Sequence, residues 1–254
     1  VSALFAPQPL RRPGRVLAGL AVVTALCWGY LFALAEAMGT MGSSLSMPMT
    51  AAWTPGGAVL MWTMWAVMMV AMMLPSASPM VTAYAATLRA PGTPLRGSTP
   101  MFVAGYVIVW SGFAAMAAAA QWGLHDLALV DAVGTSTSRW LAGPVLVVAG
   151  AYQFTGAKRT MLGRCRTPLG FLINAWRDGR RGALVMGMHH GVACAGCCWA
   201  LMALLFVLGV MNLWWVALLA TLVLIEKATR SPRVPQVVGG ALLVWGGAIL
   251  VGTW

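Results

Sequence analysis

Between Gly187 and Met202 the chain reads GMHHGVACAGCCWALM, with two histidines and three cysteines inside an apolar run. On a helix turning about 100° per residue, His190, Cys194 and Cys197 fall in one narrow stripe. Met186 stands one turn earlier, Cys198 beside the stripe, and His189 off to one side. Thiolate, imidazole and thioether together select soft ions such as Cu(I), zinc or iron–sulfur over hard cations. Adjacent histidines buried in an apolar helix are costly unless they pair, line a cavity or bind something. One helix cannot close a tetrahedral shell, so further donors must come from neighbouring elements.

A second sulfur pattern lies upstream. Met61, Met64, Met68 and Met72 share one helical face, and Met69 and Met73 an adjoining one. Spacings of three and four stack side chains along a helix. Methionine is also a flexible apolar filler, but such a column can pass a soft monovalent ion between weak sites. Met64, Met68, Met72 and Met73 are therefore candidate metal residues beside Cys194, Cys197, Cys198, His190 and His189. Met47 and Met49, in an uncharged loop from Gly39 to Pro55, are candidates for collecting the ion. Cys165 and Met161 are candidates for an exchange site at the other end.

Composition states what must carry these residues. Of 254 residues, 60% are hydrophobic and 8% charged, against roughly 45–50% and about 25% in soluble domains. The expected fold is all-α: one polytopic helical bundle, residues 1–254, in a membrane such as the bacterial inner (plasma) membrane. Seven spans of about 20 residues are expected at 16–38, 57–88, 100–123, 140–157, 183–209, 212–228 and 235–252, with six as the alternative. Val16 to Met38 exceeds a signal-peptide core of about 7–15 residues, so it is expected to remain as a helix. Pro75 and Pro79 are expected to kink or break the second span.

The net charge of +11 does not point to nucleic acid, because the basic residues lie between the apolar runs. With the N-terminus inside and the C-terminus outside, the inner segments 1–15, 89–99, 158–182 and 229–234, with Lys227, hold 15 of the 16 Lys and Arg residues. The largest, 158–182, suits anionic lipid or an acidic partner. Its apolar middle, Pro168 to Trp176, could lie on the membrane surface. Glu226 and Lys227 read as a helix-end pair with a snorkelling lysine.

Two other chemistries have some footing. Cys194-Ala-Gly-Cys197 is a C-x-x-C pair that a membrane thiol–disulfide oxidoreductase could use, although Cys27 and Cys165 stand singly. The cluster could also serve packing or a permanent cofactor in a subunit of a larger oxidase-type membrane complex. There is no Walker A motif, Ser-His-Asp arrangement or dinucleotide fingerprint.

Ala71-Met-Met-Leu-Pro75, Ala151-Tyr-Gln-Phe-Thr155 leading to Cys165-Arg-Thr-Pro-Leu-Gly170, Gly196-Cys-Cys-Trp-Ala-Leu-Met202 and Glu226-Lys227 occur in this order. Over about residues 57–230 the chain resembles a family of predicted metal-binding integral membrane proteins. Some of its members resemble copper chaperones serving a tyrosinase-type oxidase. The resemblance implies metal-binding roles for Cys194, Cys197, Cys198 and His190, with Met68, Met72 and Met73 supporting. Where many members of that family have a Cys this chain has Met161, which leaves Cys165 without a paired thiol in that loop. The expectation is a membrane protein, not an enzyme, that binds Cu(I) and delivers it to a copper-requiring partner or across the bilayer.

Overall fold

A computed structural model describes residues 13–40, 54–88, 98–130, 135–136, 138–229 and 231–252. Met47 and Met49 lie outside the described residues. Helices account for nearly all of the described chain, and its one β feature is an isolated bridge, Val130 to Ser136. In order they are α1 (Pro13–Thr40), α2 (Pro55–Thr87), α3 (Ser98–Asp126), α4 (Arg139–Tyr152), α5 (Gly156–Arg166), α6 (Pro168–Ala175), α7 (Gly179–Ala203), α8 (Leu205–Leu208), α9 (Leu213–Ala228) and α10 (Arg233–Val251).

Local chemistry sets several boundaries. Thr54 and Thr155 cap α2 and α5, their hydroxyls accepting from the backbone N–H of Gly57 and Lys158. Pro55 and Pro168 occupy the first turns of α2 and α6, where no N–H is needed. Of the expected kink or break, the break does not occur: α2 runs continuously through Pro75 and Pro79. Just before Pro75, Tyr106 and Ser76 both donate their hydroxyls to the Met73 carbonyl.

Among the described residues, five helical segments are long and apolar enough to cross a membrane: Gly14–Ala37, Pro55–Thr87, Ser98–Asp126, Gly179–Leu208 and Arg233–Val251. The other two expected spans are shorter helices, α4 with 14 residues and α9 with 16. At 1.5 Å per residue these are about 21 and 24 Å long, less than a hydrocarbon core of about 30 Å. The expected fourth span, 140–157, ends early because Gln153 to Thr155 form a turn, and the chain restarts as α5.

Glycines bring the long helices together. A Cβ on Gly187 would collide with the Phe102 carbonyl, and one on Gly105 with that of Leu184, so α3 and α7 meet backbone to backbone. Gly150 and Gly239 do the same for α4 and α10. Small residues at such crossings are how apolar helices gain dispersion contact without a water-driven force. The core lies between α2, α3, α7 and α9, and it contains Met64, Met68, Met69, Met72 and Met73 together with Cys194, Cys197 and Cys198.

Candidate metal centre

The helix ends explain where the sulfur atoms gather. The start of α4 adjoins the α8 end, where the Ser136 N–H donates to the Phe206 carbonyl at 2.9 Å. From that end Tyr152 lies thirteen residues along α4, Lys227 fourteen along α9, and Cys194 fourteen back along α7–α8. Each distance is about 20 Å. The two short helices thus stop at the level of the cysteines, and α5 fills the space they leave.

Cys194 is the centre of the arrangement. Its Sγ lies 3.0 Å from the Tyr106 hydroxyl and receives a hydrogen bond from Lys227 Nζ at 2.9 Å. Lys227 also donates to Ser76 Oγ at 2.8 Å. Cys197 and Cys198 turn back on their own helix and donate to the Cys194 carbonyl at 3.1 and 3.0 Å. The Cys198 thiol also points at Met73 Sδ, 3.9 Å away. Cys165, from α5, interacts with the thiols of Cys194 and Cys197. These two neighbours first, and burial second, hold the Cys165 thiol well above its ordinary pKa. Met161 lies over Gly196, where a Cβ would come within 3.4 Å of its Sδ. Tyr152 donates to the Gly196 carbonyl and fixes α4 against the same turn.

Of the residues expected from sequence, Cys194, Cys197, Cys198, Cys165, Met161 and Met73 come together. Met64, Met68 and Met72 continue from Met73 as fully buried side chains of α2. His190 is buried one turn from Cys194 in a ring of Phe102, Tyr106 and Phe171, with centroids 5.6–6.2 Å away. Its Nδ1 has no hydrogen-bond partner among the described residues. His189 faces elsewhere. It is exposed and lines an outer cleft of about 550 Å³ with Arg164, Asn174 and Phe171. Cys165, single in the sequence, is not single in space, and all five cysteines are free thiols.

Among the described residues, no group of three His, Cys, Asp or Glu side chains is arranged to hold one metal ion. In α7, two of the three thiols donate to the Cys194 carbonyl. What the site offers is thiol, thioether, phenol and ammonium at one level.

Three participants were not expected: Tyr106, Ser76 and Lys227. Lys227 does not snorkel outward but reaches inward to Cys194. Glu226 does not pair with it. Its Oε2 accepts from Lys158 Nζ at 2.6 Å, with both side chains 1% exposed. Arg166 donates to the Glu226 carbonyl and completes the clamp of α5 on α9. A signal for this did exist in the sequence. The chain has two lysines against fourteen arginines, and both lysines are these interior ones.

Long apolar helices thus enclose a sulfur-rich interior. Residues 62–249 match the family described as PpoB2, copper chaperone, and the chain belongs to that family. No curated protein and no solved structure matches it.

Proposed function

We propose that this protein is an integral membrane carrier that takes Cu(I) as cargo on the sulfur cluster of α7 and releases it to a copper-requiring partner. The observation that carries the reading is the approach of Cys198 and Met73, donors from two helices, at 3.9 Å. Two metal–sulfur bonds of about 2.3 Å span such a gap with little movement. Cys194 lies one turn away and Cys197 is adjacent on the same helix, and Cys165 and Met161 border them from α5. Cu(I) suits mixed thiolate and thioether donors and tolerates fewer ligands than the tetrahedral shell of structural zinc.

The buried methionines Met64, Met68 and Met72 supply a path along α2 toward the Met-containing segment that precedes it. Cys165 and Met161 supply an exchange point on the other side. His190, with an unpaired Nδ1 beside the cluster, is an accessory donor. The distribution of arginines favours an N-terminus on the inner side, with α4 and α9 as short passes that end at the cluster. The family description favours a carrier over an enzyme.

The test is metal stoichiometry in detergent. Protein reduced and loaded anaerobically with Cu(I) is expected to retain about one exchangeable ion against a weak chelator. Cys197→Ser combined with Cys198→Ser is expected to lose it. Copper that survives strong chelators, or that remains in the double variant, would refute the carrier.

A further inference from the structure

The charge of the site is as specific as its sulfur. Lys227 is the ionisable cation that reaches Cys194 among the described residues, and it does so at 2.9 Å through Nζ. Its other partner is a neutral hydroxyl, Ser76, at 2.8 Å. The neighbouring carboxylate, Glu226, is engaged by Lys158 in a buried pair that sums to zero. Arg166 donates to the Glu226 carbonyl and also feels Cys197 and Cys165, but it is partly exposed, so solvent and counter-ions screen its charge at the cluster. Met73 and Tyr106 bring no formal charge as thioether and phenol. The balance inside the cluster therefore depends on its thiolates, on Lys227 and on the bound ion.

Net charge is costly in such surroundings, because ions removed from water must be compensated at close range. We infer that Lys227 is a specificity-determining residue whose fixed ammonium tunes the cluster to a monovalent ion. Resting on the carrier reading above, the count is simple. Two thiolates, one ammonium and Cu(I) sum to zero, and the two thiol protons leave to solvent as the ion binds. A divalent ion such as Zn(II) at the same two thiolates leaves one positive charge uncompensated. Affinity alone gives no such protection, since thiolates also bind zinc well. The ammonium acts by repelling the second charge of a competing ion while balancing the second thiolate when Cu(I) is held. It contributes specificity without being a ligand.

The inference makes opposite predictions for two metals in one protein. Wild-type protein in detergent is titrated with Ag(I), a redox-inert monovalent probe, and separately with Zn(II), and Cu(I) loading is measured by chelator competition. Wild type is expected to bind Ag(I) and Cu(I) at least a hundredfold more tightly, relative to a free dithiol reference, than it binds Zn(II). Lys227→Met, and Lys227→Gln as a second variant that keeps a donor for Ser76, should weaken Ag(I) and Cu(I) about tenfold or more. Both should strengthen Zn(II) by a similar factor. Lys227→Arg, which keeps the charge, should restore the wild-type order. A merely structural lysine would weaken all three metals together, and that result overturns the inference. Wild type that takes Zn(II) as tightly as Ag(I) overturns it without any variant. Failure of wild type to bind Cu(I) at all would instead overturn the carrier.

Discussion

At the scale of single residues, the sulfur donors differ in what surrounds them. Cys198 faces Met73 across helices, whereas His189 looks out from the opposite side of α7. Met73→Leu conserves volume and is expected to cost less than about 1.5 kcal/mol of stability. It should still weaken Cu(I) about tenfold, or ~1.4 kcal/mol, in chelator competition. His189→Ala should leave that affinity unchanged. If His189→Ala abolished binding instead, the face of α7 that holds the ion would be the wrong one. Cys165 belongs to the same scale. Its thiol is held above the ordinary range by Cys194 and Cys197, so in copper-free protein it stays protonated near pH 8. Iodoacetamide labelling at that pH should modify it far more slowly than an exposed cysteine, because the thiolate is the reactive form.

At the scale of elements, the site depends on how closely α3 approaches α7. That approach is possible because Gly187 and Gly105 present no side chain to the opposing backbone. It places Tyr106 on Cys194 and on the Met73 carbonyl at once. Gly187→Val must push the helices apart and is expected to cost about 1–3 kcal/mol or more. The detergent melting temperature should fall, and copper affinity should fall with it, since Tyr106 and Met73 move off the cluster. A variant that melted as wild type would mean that the two helices do not meet at this glycine. The short lengths of α4 and α9 are part of the same design. Helices that stopped elsewhere would leave no room for α5, and Cys165 and Met161 would not reach α7.

At the scale of the whole molecule, a buried ion pair ties distant elements together. Lys158 and Glu226 join α5 to α9 far apart in sequence, and Arg166 adds a bond to the Glu226 carbonyl. Removing one partner of such a pair strands the other charge and typically costs about 3–5 kcal/mol. Lys158→Met is therefore expected to melt much earlier than wild type. Lys158→Met with Glu226→Leu should recover most of the loss. A double variant as unstable as the single one would show that the carboxylate is not stranded by loss of the lysine.

The sequence by itself determined the class, the helical fold, the stripe of cysteines and the column of methionines. These are properties of composition and of periodicity along one helix, where geometry is fixed at 3.6 residues per turn. It overstated α4, because hydropathy does not register the turn at Gln153, where the α-helical hydrogen bonds give way to bonds three residues apart. The tertiary structure alone decided that Met73 meets Cys198, that Cys165 joins the cluster, and that His189 does not. It also turned Lys227 inward. Hydropathy places a helix-end lysine at the surface by default, and here Cys194 and Ser76 on neighbouring helices draw its charge inside. Relative depth and rotation of helices arise from side-chain packing between distant segments, and no pattern within one segment encodes them.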